Sequence, residues 1–408
     1  MEVKPGYKQT EVGIIPEEWE VRKIGEMFRL INGCAFKPGD WKQHGIPIIR
    51  IQNLNDPSAE FNFSQATVPE RNRVEAGDLL FAWSGTLGSS FGARVWYGPS
   101  GVLNQHIFKV LMDEQQITLP YSLLVFARVE EDIAKQAHGF KASFVHVKKS
   151  DLVKVDLPLP PLPEQRAIAE ALSDVDGLLG GLERLIAKKR NLKQAAMQQL
   201  LTGQIRLPGF HGKWEVKRLG SIADVLKGSA LSKSLMTTSG TLRCILYGEL
   251  FTTYGRVISD VFGRTNSSEG CPSIQGDVLM PGSTTTKGID LATASALLVD
   301  DVALGGDIII IRRKGNDYDS VFLANYLTLA RRHEIAELTQ GITIHHLYGK
   351  DLKTLALELP PYSEQTAIAE VLTEMDAELA AWERRLEKTR ALKQALMQEL
   401  LTGRTRLI

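Results

Sequence analysis

One segment of this chain occurs twice, and this internal repeat constrains the fold more than any other feature of the sequence. Residues 160–207 align without a gap with residues 360–407, an offset of 200 positions, and about 27 of the 48 aligned residues are identical. A weaker repeat precedes each copy, because the Trp-Glu-Val at Trp19 recurs at Trp214. Self-similarity at a fixed offset is typical of a duplicated structural unit. The chain is therefore a tandem duplication of a unit of about 200 residues.

The repeat divides the chain into four segments. We expect one globular part at residues 1–159 and another at 208–359, with helical parts at 160–207 and 360–408. The helical parts stayed similar while the globular parts diverged. This pattern predicts one shared role for the helical parts and two different roles for the globular parts.

Each helical part has the pattern of one long helix. Apolar residues recur at alternating steps of four and three over 168–186 in the first copy and over 368–386 in the second. This spacing is the a/d seam of a coiled coil. The seam then shifts in phase, and we expect it to resume as Leu192 and Ala196 in the first copy and as Leu392 and Leu396 in the second.

Both helices have recognisable ends. A Pro-Pro pair disfavours helix before each start, and the Glu-Gln pair that follows suits the positive end of the helix dipole. Gly203 and Gly403 supply C-caps. About 39 residues make a helix of about 60 Å. We expect the two helices to pair as an antiparallel coiled coil, which places the globular parts at opposite ends of a pseudo-twofold molecule. The alternative is that each helix is buried in an ordinary domain.

The globular parts have the pattern of a mixed α/β (α+β) fold. Short β-rich runs lie between turn residues, including 78–83 in the first part and 277–280 in the second. One helix is predicted near the end of each part, over 121–136 and over 321–338. Polar loops rich in Ser, Thr and Gly follow equivalent strands in the two parts.

The composition narrows the class of protein. The chain is 43% hydrophobic and 24% charged, its three cysteines are too few for a disulfide framework, and its longest apolar run is too short to span a bilayer. We therefore expect a soluble protein of the reducing cytoplasm. Lys and Arg total 48 and Asp and Glu total 48, so composition does not favour nucleic-acid binding. Any basic surface must be confined to one face.

Several catalytic motifs are absent from the sequence. Residues 282–288 lack the spacing of a phosphate-binding loop. Leu359 stands before Pro-Pro-Tyr, where an amino-methyltransferase needs an acceptor for the target amine. His146 and His346 occupy equivalent positions five residues before an aspartate, and structural and phosphate-contacting roles are both open for them. We expect no catalytic residue and no metal site, which leaves an unrecognised active site as a minor alternative.

These motifs together resemble the specificity (S) subunits of type I restriction–modification systems. The resemblance covers nearly the whole chain and rests on three motifs: Trp-Glu-Val-x-x-Ile/Leu-Gly at Trp19 and Trp214, the Gly-Asp-Leu/Val-Leu strand, and the Pro-Pro-x-x-Glu-Gln helix start. It implies that the globular parts are target-recognition domains, each specific for half of a bipartite, gapped DNA sequence. The helices would set the spacing and dock two methyltransferase (M) subunits.

The resemblance also implies a chain without a catalytic role or a cofactor of its own. S-adenosylmethionine would be held by the M subunits, which methylate adenine in double-stranded DNA, and motor-nuclease (R) subunits would join the complex for cleavage. A membrane partner is not expected. A subunit of a methylation-only system and a coiled-coil scaffold that binds proteins are the alternatives.

Candidate DNA contacts follow from side-chain chemistry and loop position. Arg, Gln and Asn suit base edges, and Lys and hydroxyl groups suit phosphates. In the first globular part the candidates are Lys37, Arg50, Gln52, Asn53, Ser84, Thr86, Gln105 and Lys141. In the second they are Lys233, Tyr247, Ser283, Thr284, Thr285, Lys287 and Arg312.

Candidate partner contacts are cations that are identical in the two helical parts. One repeated surface that binds two copies of the same partner would require such identity, although a solvated coiled-coil face is the alternative. The candidates are Arg184, Lys188, Arg190 and Lys193 with their copies Arg384, Lys388, Arg390 and Lys393.

Overall fold

The computed structural model describes residues 3–56, 58–137 and 144–407. The chain divides into two compact units: unit 1 is Met1–Gly181 with Leu386–Ile408, and unit 2 is Leu182–Arg385. Each unit therefore contains one globular part, the first portion of the helix that follows it, and the last portion of the other long helix. The C-terminal segment belongs to the same unit as the N-terminal globular part.

The globular part of unit 1 is built from short strands and helices. Its strands are β1 (Tyr7–Thr10), β2 (Gly13–Pro16), β3 (Glu20–Lys23), β4 (Phe28–Asn32), β5 (Ile46–Ile49), β6 (Asn62–Ser64), β7 (Arg73–Val74), β8 (Leu79–Ala82), β9 (Ser84–Thr86), β10 (Gly92–Val95), β11 (Gly101–Leu103), β12 (Ile107–Met112), β13 (Phe144–His146) and β14 (Asp156–Leu159). Its helices are α1 (Ile24–Met27), α2 (Ile51–Asn55), α3 (Leu119–Ala137) and α4 (Lys149–Leu152).

Two four-stranded sheets form the frame of this part, in the orders β10-β8-β12-β4 and β6-β5-β11-β7. The first sheet is antiparallel and packs against α3, since Phe81 of β8 and Phe28 of β4 lie 5.2 and 4.9 Å from Phe126 of that helix, centroid to centroid. The strand β8 is buried throughout. The predicted mixed α/β fold is confirmed.

Unit 2 repeats this plan after the first long helix, α5 (Leu162–Leu200). Its strands are β15 (Glu215–Arg218), β16 (Ala223–Lys227), β17 (Leu242–Ile245), β18 (Val257–Ile258), β19 (Arg264–Thr265), β20 (Cys271–Pro272), β21 (Asp277–Pro281), β22 (Ser283–Thr284), β23 (Ser295–Leu297), β24 (Ala303–Leu304), β25 (Ile308–Arg313), β26 (His345–His346) and β27 (Ala356–Leu359). Its helices are α6 (Leu219–Ile222), α7 (Glu249–Thr252), α8 (Ser320–Leu329), α9 (Arg332–Glu337) and α10 (Gly349–Leu352), and the second long helix is α11 (Tyr362–Leu400). Its main sheets have the orders β16-β25-β21-β23-β18 and β19-β17-β24-β20.

The helix predicted over 321–338 is two helices, α8 and α9. Arg331 lies between them with φ −113° and ψ 15°, outside the helical region. Its guanidinium donates to the Tyr326 hydroxyl and to Glu334, both at 2.9 Å. The apolar periodicity continues across Arg331 and therefore does not reveal the break in the backbone.

The long helices confirm the predicted length and ends. Each has 39 residues. Each ends in a Thr-Gly turn in which Gly203 or Gly403 adopts φ near +70°, a conformation that glycine accepts without steric cost.

Within each unit the two helix portions run antiparallel. In unit 2, Lys189 pairs with Glu378 at 2.8 Å and Lys193, further along α5, pairs with Asp376, earlier in α11. In unit 1, Lys393 pairs with Asp176 at 2.6 Å. The Lys193 and Lys393 pairs are repeat equivalents, since both members of one differ by 200 from the members of the other.

Ala196 and Leu396 of the expected seam pack against the unit cores, but the expectation is wrong for Leu192 and Leu392. These side chains are 50% and 54% exposed, whereas Met197 and Leu200 of α5 are buried in the core of the globular part of unit 2. The last turns of α5 pack against the globular part as well as against α11, whose Ile368 belongs to the same core. This additional packing surface, which periodicity does not show, accompanies an exposed leucine at the same place in both repeats.

Buried ion pairs join each long-helix start to the segment that follows the other long helix. Glu164, at the start of α5, is 5% exposed and accepts hydrogen bonds from Arg406 at 2.7 and 2.9 Å. Glu364, which is fully buried, accepts two bonds from Arg206, and these bonds raise the pKa of that guanidinium. A bidentate guanidinium–carboxylate pair also specifies geometry.

The glutamine after each of these glutamates joins the helix start to its globular part. Gln165 accepts from the Thr118 amide at 2.9 Å and donates to the Gln116 carbonyl at 2.8 Å. Gln365 makes the equivalent bonds with the Asp319 amide and the Asp317 carbonyl, both at 3.0 Å. The Glu-Gln motif therefore does more than complement the helix dipole: it orients each helix on its globular part.

Candidate nucleic-acid and partner interfaces

A short two-stranded ribbon occurs at the same place in both units. In unit 1, β9 pairs antiparallel with β13 so that Ser84 lies opposite His146. In unit 2, β22 pairs antiparallel with β26 so that Ser283 lies opposite His346. The structure thus joins two features that the sequence presents separately, the hydroxyl-rich loops and the equivalent histidines. We call these the hydroxyl–histidine ribbons.

Trp83 lies next to the ribbon of unit 1. The Trp83 ring lies 4.6 Å from the ring of His146, edge-on, and its Nε1 donates to the Gln105 carbonyl at 3.1 Å. The side chains of Gln105 and His146 are exposed, while Ser84 is 5% exposed. Three of the candidate DNA contacts, Ser84, Thr86 and Gln105, are therefore brought together, and Gln105 is the most accessible of them.

The ribbon of unit 2 leads into an exposed polar loop. Ser283 and Thr284 are largely buried, with the Ser283 hydroxyl 3.1 Å from an Asp307 carboxylate oxygen, so they hold the loop in place. Thr285 and Lys287 are exposed.

A hairpin lies against this loop. It is closed by two backbone bonds between Gln340 and His346, at 2.7 and 2.9 Å. Within it the side chain of Ile342 is 95% exposed. An exposed aliphatic side chain suits contact with the thymine methyl group in the major groove. Sequence reasoning missed this isoleucine because an apolar residue in a loop gives no signal.

A second group of candidate DNA contacts lies on α2 and in the segment before it in unit 1. Asn53 is 1% exposed and its amide donates to the Ala59 carbonyl at 3.1 Å, so it stabilises the turn from inside. Arg50 stacks on the Trp41 ring, with its guanidinium carbon 4.8 Å from the centroid. Gln52 and Lys37 are exposed.

The remaining candidate DNA contacts are distributed differently. Tyr247, 39% exposed, precedes α7 as Arg50 precedes α2, and Lys233 is exposed. Arg312 is not brought to the ribbon, because it lies at the opposite end of the sheet and its guanidinium is bound to buried Asp277 at 2.7 Å. Lys141 lies outside the described residues.

A basic groove in unit 1 was missed by sequence reasoning. It has a volume of about 660 Å³ and combines Arg29 of β4, Arg71 and Lys149 of α4. The Lys149 ammonium donates to the Leu30 carbonyl at 2.6 Å. These cations are far apart in the sequence, so no charge run identifies them. Clustered cations in an open groove suit a phosphate backbone.

The candidate partner contacts separate into two classes. Arg190 and Lys193 make ion pairs with Glu383 and Asp376, within the helix pair of unit 2. In unit 1, Lys393 pairs with Asp176, and Arg390 contacts Glu387 at 2.7 Å.

The other candidates lie on an exposed helical stripe. Arg184 and Lys188 are exposed, and they share a helix face with exposed Leu192. Arg384, Lys388 and Leu392 repeat the same stripe on α11.

Comparison with known proteins identifies the family. The model of the type I restriction modification DNA specificity domain matches residues 16–189 and again residues 211–389. This chain belongs to that family. The two matches coincide with the two copies of the sequence repeat, and each extends from a globular part into the long helix that follows it.

Similar proteins and structures agree with this assignment. The putative type I restriction enzyme MjaX specificity subunit of Methanocaldococcus jannaschii is 26% identical, over 98% of this chain and 96% of its own length. The MjaVIII specificity subunit of the same organism is also 26% identical with the same coverage. The HsdS subunit from Thermoanaerobacter tengcongensis has a similar fold, with a TM-score of 0.54 at 18% identity over 95% of this chain and 98% of that chain. A type I R-M system structure gives a TM-score of 0.63 at 18% identity, over 95% and 99%.

Two further observations concern membrane and metal sites. Within the described residues, no helix is long and apolar enough to cross a membrane. In the same part of the chain, His, Cys, Asp and Glu side chains form no group of three or more that could hold a metal ion.

Proposed function

We propose that each globular part recognises one half of a bipartite, gapped sequence in double-stranded DNA. The observation that carries this proposal is the repetition of the hydroxyl–histidine ribbon on two otherwise divergent globular parts. The ribbon places a DNA-contacting surface at the same position in both globular parts. The side chains around it differ between the two parts, so each part can recognise a different half-site. Gln105 in unit 1 and Thr285 in unit 2 are the exposed polar groups next to the two ribbons.

Contacts with phosphates position the two globular parts on the duplex. Lys287 beside the second ribbon and the basic groove of unit 1 supply cations for this purpose. The chain has no net charge, so we expect the methyltransferase subunits to share the backbone contacts and the isolated chain to bind DNA weakly. Binding of the isolated chain to its own site with nanomolar affinity would contradict that expectation.

The long helices set the spacing between the two half-sites and dock two M subunits. The exposed stripe of Arg184, Lys188 and Leu192 and its copy on α11 offer one surface twice, which suits two copies of one partner. The M subunits would bind S-adenosylmethionine and methylate adenine, and R subunits would join them in a restriction-competent complex. This chain contributes recognition and spacing without a catalytic residue of its own, in the cytoplasm.

A base-resolution map of adenine methylation tests this function. The chain is co-expressed with its methyltransferase, and the map is compared with that of cells lacking the chain. Loss of one gapped, two-part motif on deletion is the expected result. An unchanged map with an active methyltransferase would support a protein-binding scaffold instead.

Variants of the two ribbons sharpen the same map. Gln105→Ala is expected to relax one half-site, and the double variant Thr285→Ala/Lys287→Ala the other. Loss of a base contact reduces discrimination at one position by about 1–3 kcal/mol. Lys213→Ala, an exposed lysine of unit 2 outside the ribbon, is the matched control and should leave both halves unchanged.

A further inference from the structure

An open pocket in unit 2 lies between the last turns of α5 and the globular part. Its volume is about 590 Å³. The lining combines apolar and cationic side chains, among them Met197, Leu201, Leu329, Arg190, Lys193 and Arg256. An apolar lining with a few directed polar groups is typical of a binding site.

Arg256 differs from the other two cations of this pocket. Arg190 and Lys193 are already in ion pairs with carboxylates of α11. The guanidinium of Arg256 contacts two uncharged atoms, the Met197 sulfur and the Asn325 Oδ1, each at 3.5 Å. Its partial burial lowers its pKa through desolvation, and the charge of Asp376, a carboxylate already bound to Lys193, offsets only part of this effect. A partly desolvated guanidinium is stabilised most by a carboxylate or phosphate that approaches it directly.

The helix side of the pocket is duplicated, but the pocket is not built in the same way in unit 1. Every α5 residue that lines it has an identical copy on α11 or in the Thr-Gly turn after it, including Met397 and Leu401. Arg128 of α3 occupies the helix position that Leu329 occupies in α8, counted from the first residue of each helix. Its Nη1 donates to the Leu401 carbonyl at 2.9 Å. Unit 1 thus places its own arginine over the helix end where unit 2 leaves space.

We propose that the pocket of unit 2 docks an acidic, amphipathic segment of the methyltransferase partner. A carboxylate of the segment binds Arg256, and an apolar side chain packs on Met197 and Leu329. This inference rests on the proposed function, since it names where on the helix one partner copy is held. Because Arg128 covers the corresponding place in unit 1, only one of the two partner copies makes this contact, in addition to the stripe that both copies share.

Titration of the full-length chain with its cognate methyltransferase subunit tests the proposal. Arg256→Glu introduces repulsion, and Leu329→Arg reproduces the arginine that unit 1 carries. Each is expected to weaken binding of one of the two methyltransferase copies about tenfold or more while the other copy binds as before. Arg243→Glu, a half-exposed arginine of the same unit outside the pocket, is the matched control. A photo-crosslinking residue at position 330 should capture an acidic segment of the methyltransferase.

The outcomes are distinguishable. The proposal is overturned if the Arg256→Glu and Leu329→Arg chains bind both methyltransferase copies as the wild-type chain does. In that case an unchanged methylated motif would still support the proposed function. Crosslinking to DNA or to a second copy of this chain would also overturn it. If the wild-type chain binds no methyltransferase subunit, the proposed function fails with it.

Discussion

Each unit holds the start of one long helix through a buried glutamate–arginine ion pair, which we call the helix anchor. The two anchors differ in the contact that the neighbouring tryptophan makes. In unit 1, Trp19 donates its indole N–H to the buried Glu164 at 2.8 Å. In unit 2, the equivalent Trp214 is stacked near Arg206, 5.8 Å from ring centroid to guanidinium carbon, and its Nε1 has no partner among the described residues. The ion pair and the tryptophan are duplicated, whereas the bond between them is not. The shared part is the part that positions the helix.

The surfaces of the units diverge further than their anchors. Arg29 lines the basic groove of unit 1, but Asp224 stands at the equivalent position on β16 and pairs with Lys314 at 3.4 Å. Because this position is a cation in one repeat and an anion in the other, it cannot bind phosphate in both units. The comparison indicates that the helix anchors are constrained by folding, while each globular surface is free to differ.

Deleting residues 386–408 should have the largest effect. It removes Met397, Leu400 and Leu401 from the core of unit 1 and Arg406 from Glu164. Each large apolar residue lost from a core costs about 2–5 kcal/mol, and a domain is stable by only about 5–15 kcal/mol. We expect unit 1 to unfold although the deletion lies far away in the sequence. Limited proteolysis should digest the first globular part and spare the second; equal protection of both would contradict the division into units.

Removing the anchor arginines should have the next largest effect. Breaking a buried ion pair from one side costs about 3–5 kcal/mol. Arg206→Met leaves fully buried Glu364 without its guanidinium, while Arg406→Met leaves Glu164 with the Trp19 indole. Urea unfolding should therefore show a loss about 1 kcal/mol greater for Arg206→Met.

Arg404→Met is the matched control for this pair. Arg404 is exposed and lies 3.6 Å from Glu399, so its removal should change the free energy of unfolding by less than about 1 kcal/mol. Equal losses for the Arg206 and Arg406 variants would show that the tryptophan bond does not distinguish the anchors.

The tryptophans test the difference between the anchors directly. Trp19→Phe removes a hydrogen bond to a buried carboxylate, whereas Trp214→Phe removes an N–H that has no described partner. Trp19 is also fully buried whereas Trp214 is partly buried, so the first substitution should destabilise by at least about 1.5–3 kcal/mol more than the second. Thermal unfolding of the two variants measures the difference, and a smaller loss for Trp19→Phe would contradict it.

The smallest effect is expected at the basic groove. Arg29→Ala and Arg71→Ala should each lower the salt dependence of DNA binding by about one counterion. Asp224→Ala, at the equivalent place in unit 2, should not lower it. Anisotropy titrations of the assembled complex at several salt concentrations make the comparison. Unchanged slopes for both arginine variants would remove this groove from the DNA interface.

Much of the helical architecture was predictable from residue patterns. The Pro-Pro and Thr-Gly signals act locally, so the 39-residue length and both helix ends followed from them. Leu192 proved to be exposed, and the heptad pattern does not reveal this, because burial depends on which surfaces the last turns of α5 meet in the folded unit. Among the candidate DNA contacts, Ser84, Thr86 and Gln105 came together around Trp83, while Asn53 proved to be buried. The chemistry of a side chain shows that it could contact DNA, but it does not show whether the side chain is exposed in the folded protein.

The sequence by itself determined the duplication, the two long helices and the family to which the chain belongs, because each depends on patterns that are local or repeated at a fixed offset. Only the tertiary structure decided that the C-terminal segment completes unit 1, that Ser84 meets His146, and that Arg256 lines an open pocket. These facts join residues far apart in the chain. Burial and ion pairing between distant segments depend on the packing of the whole unit, and no local pattern records them.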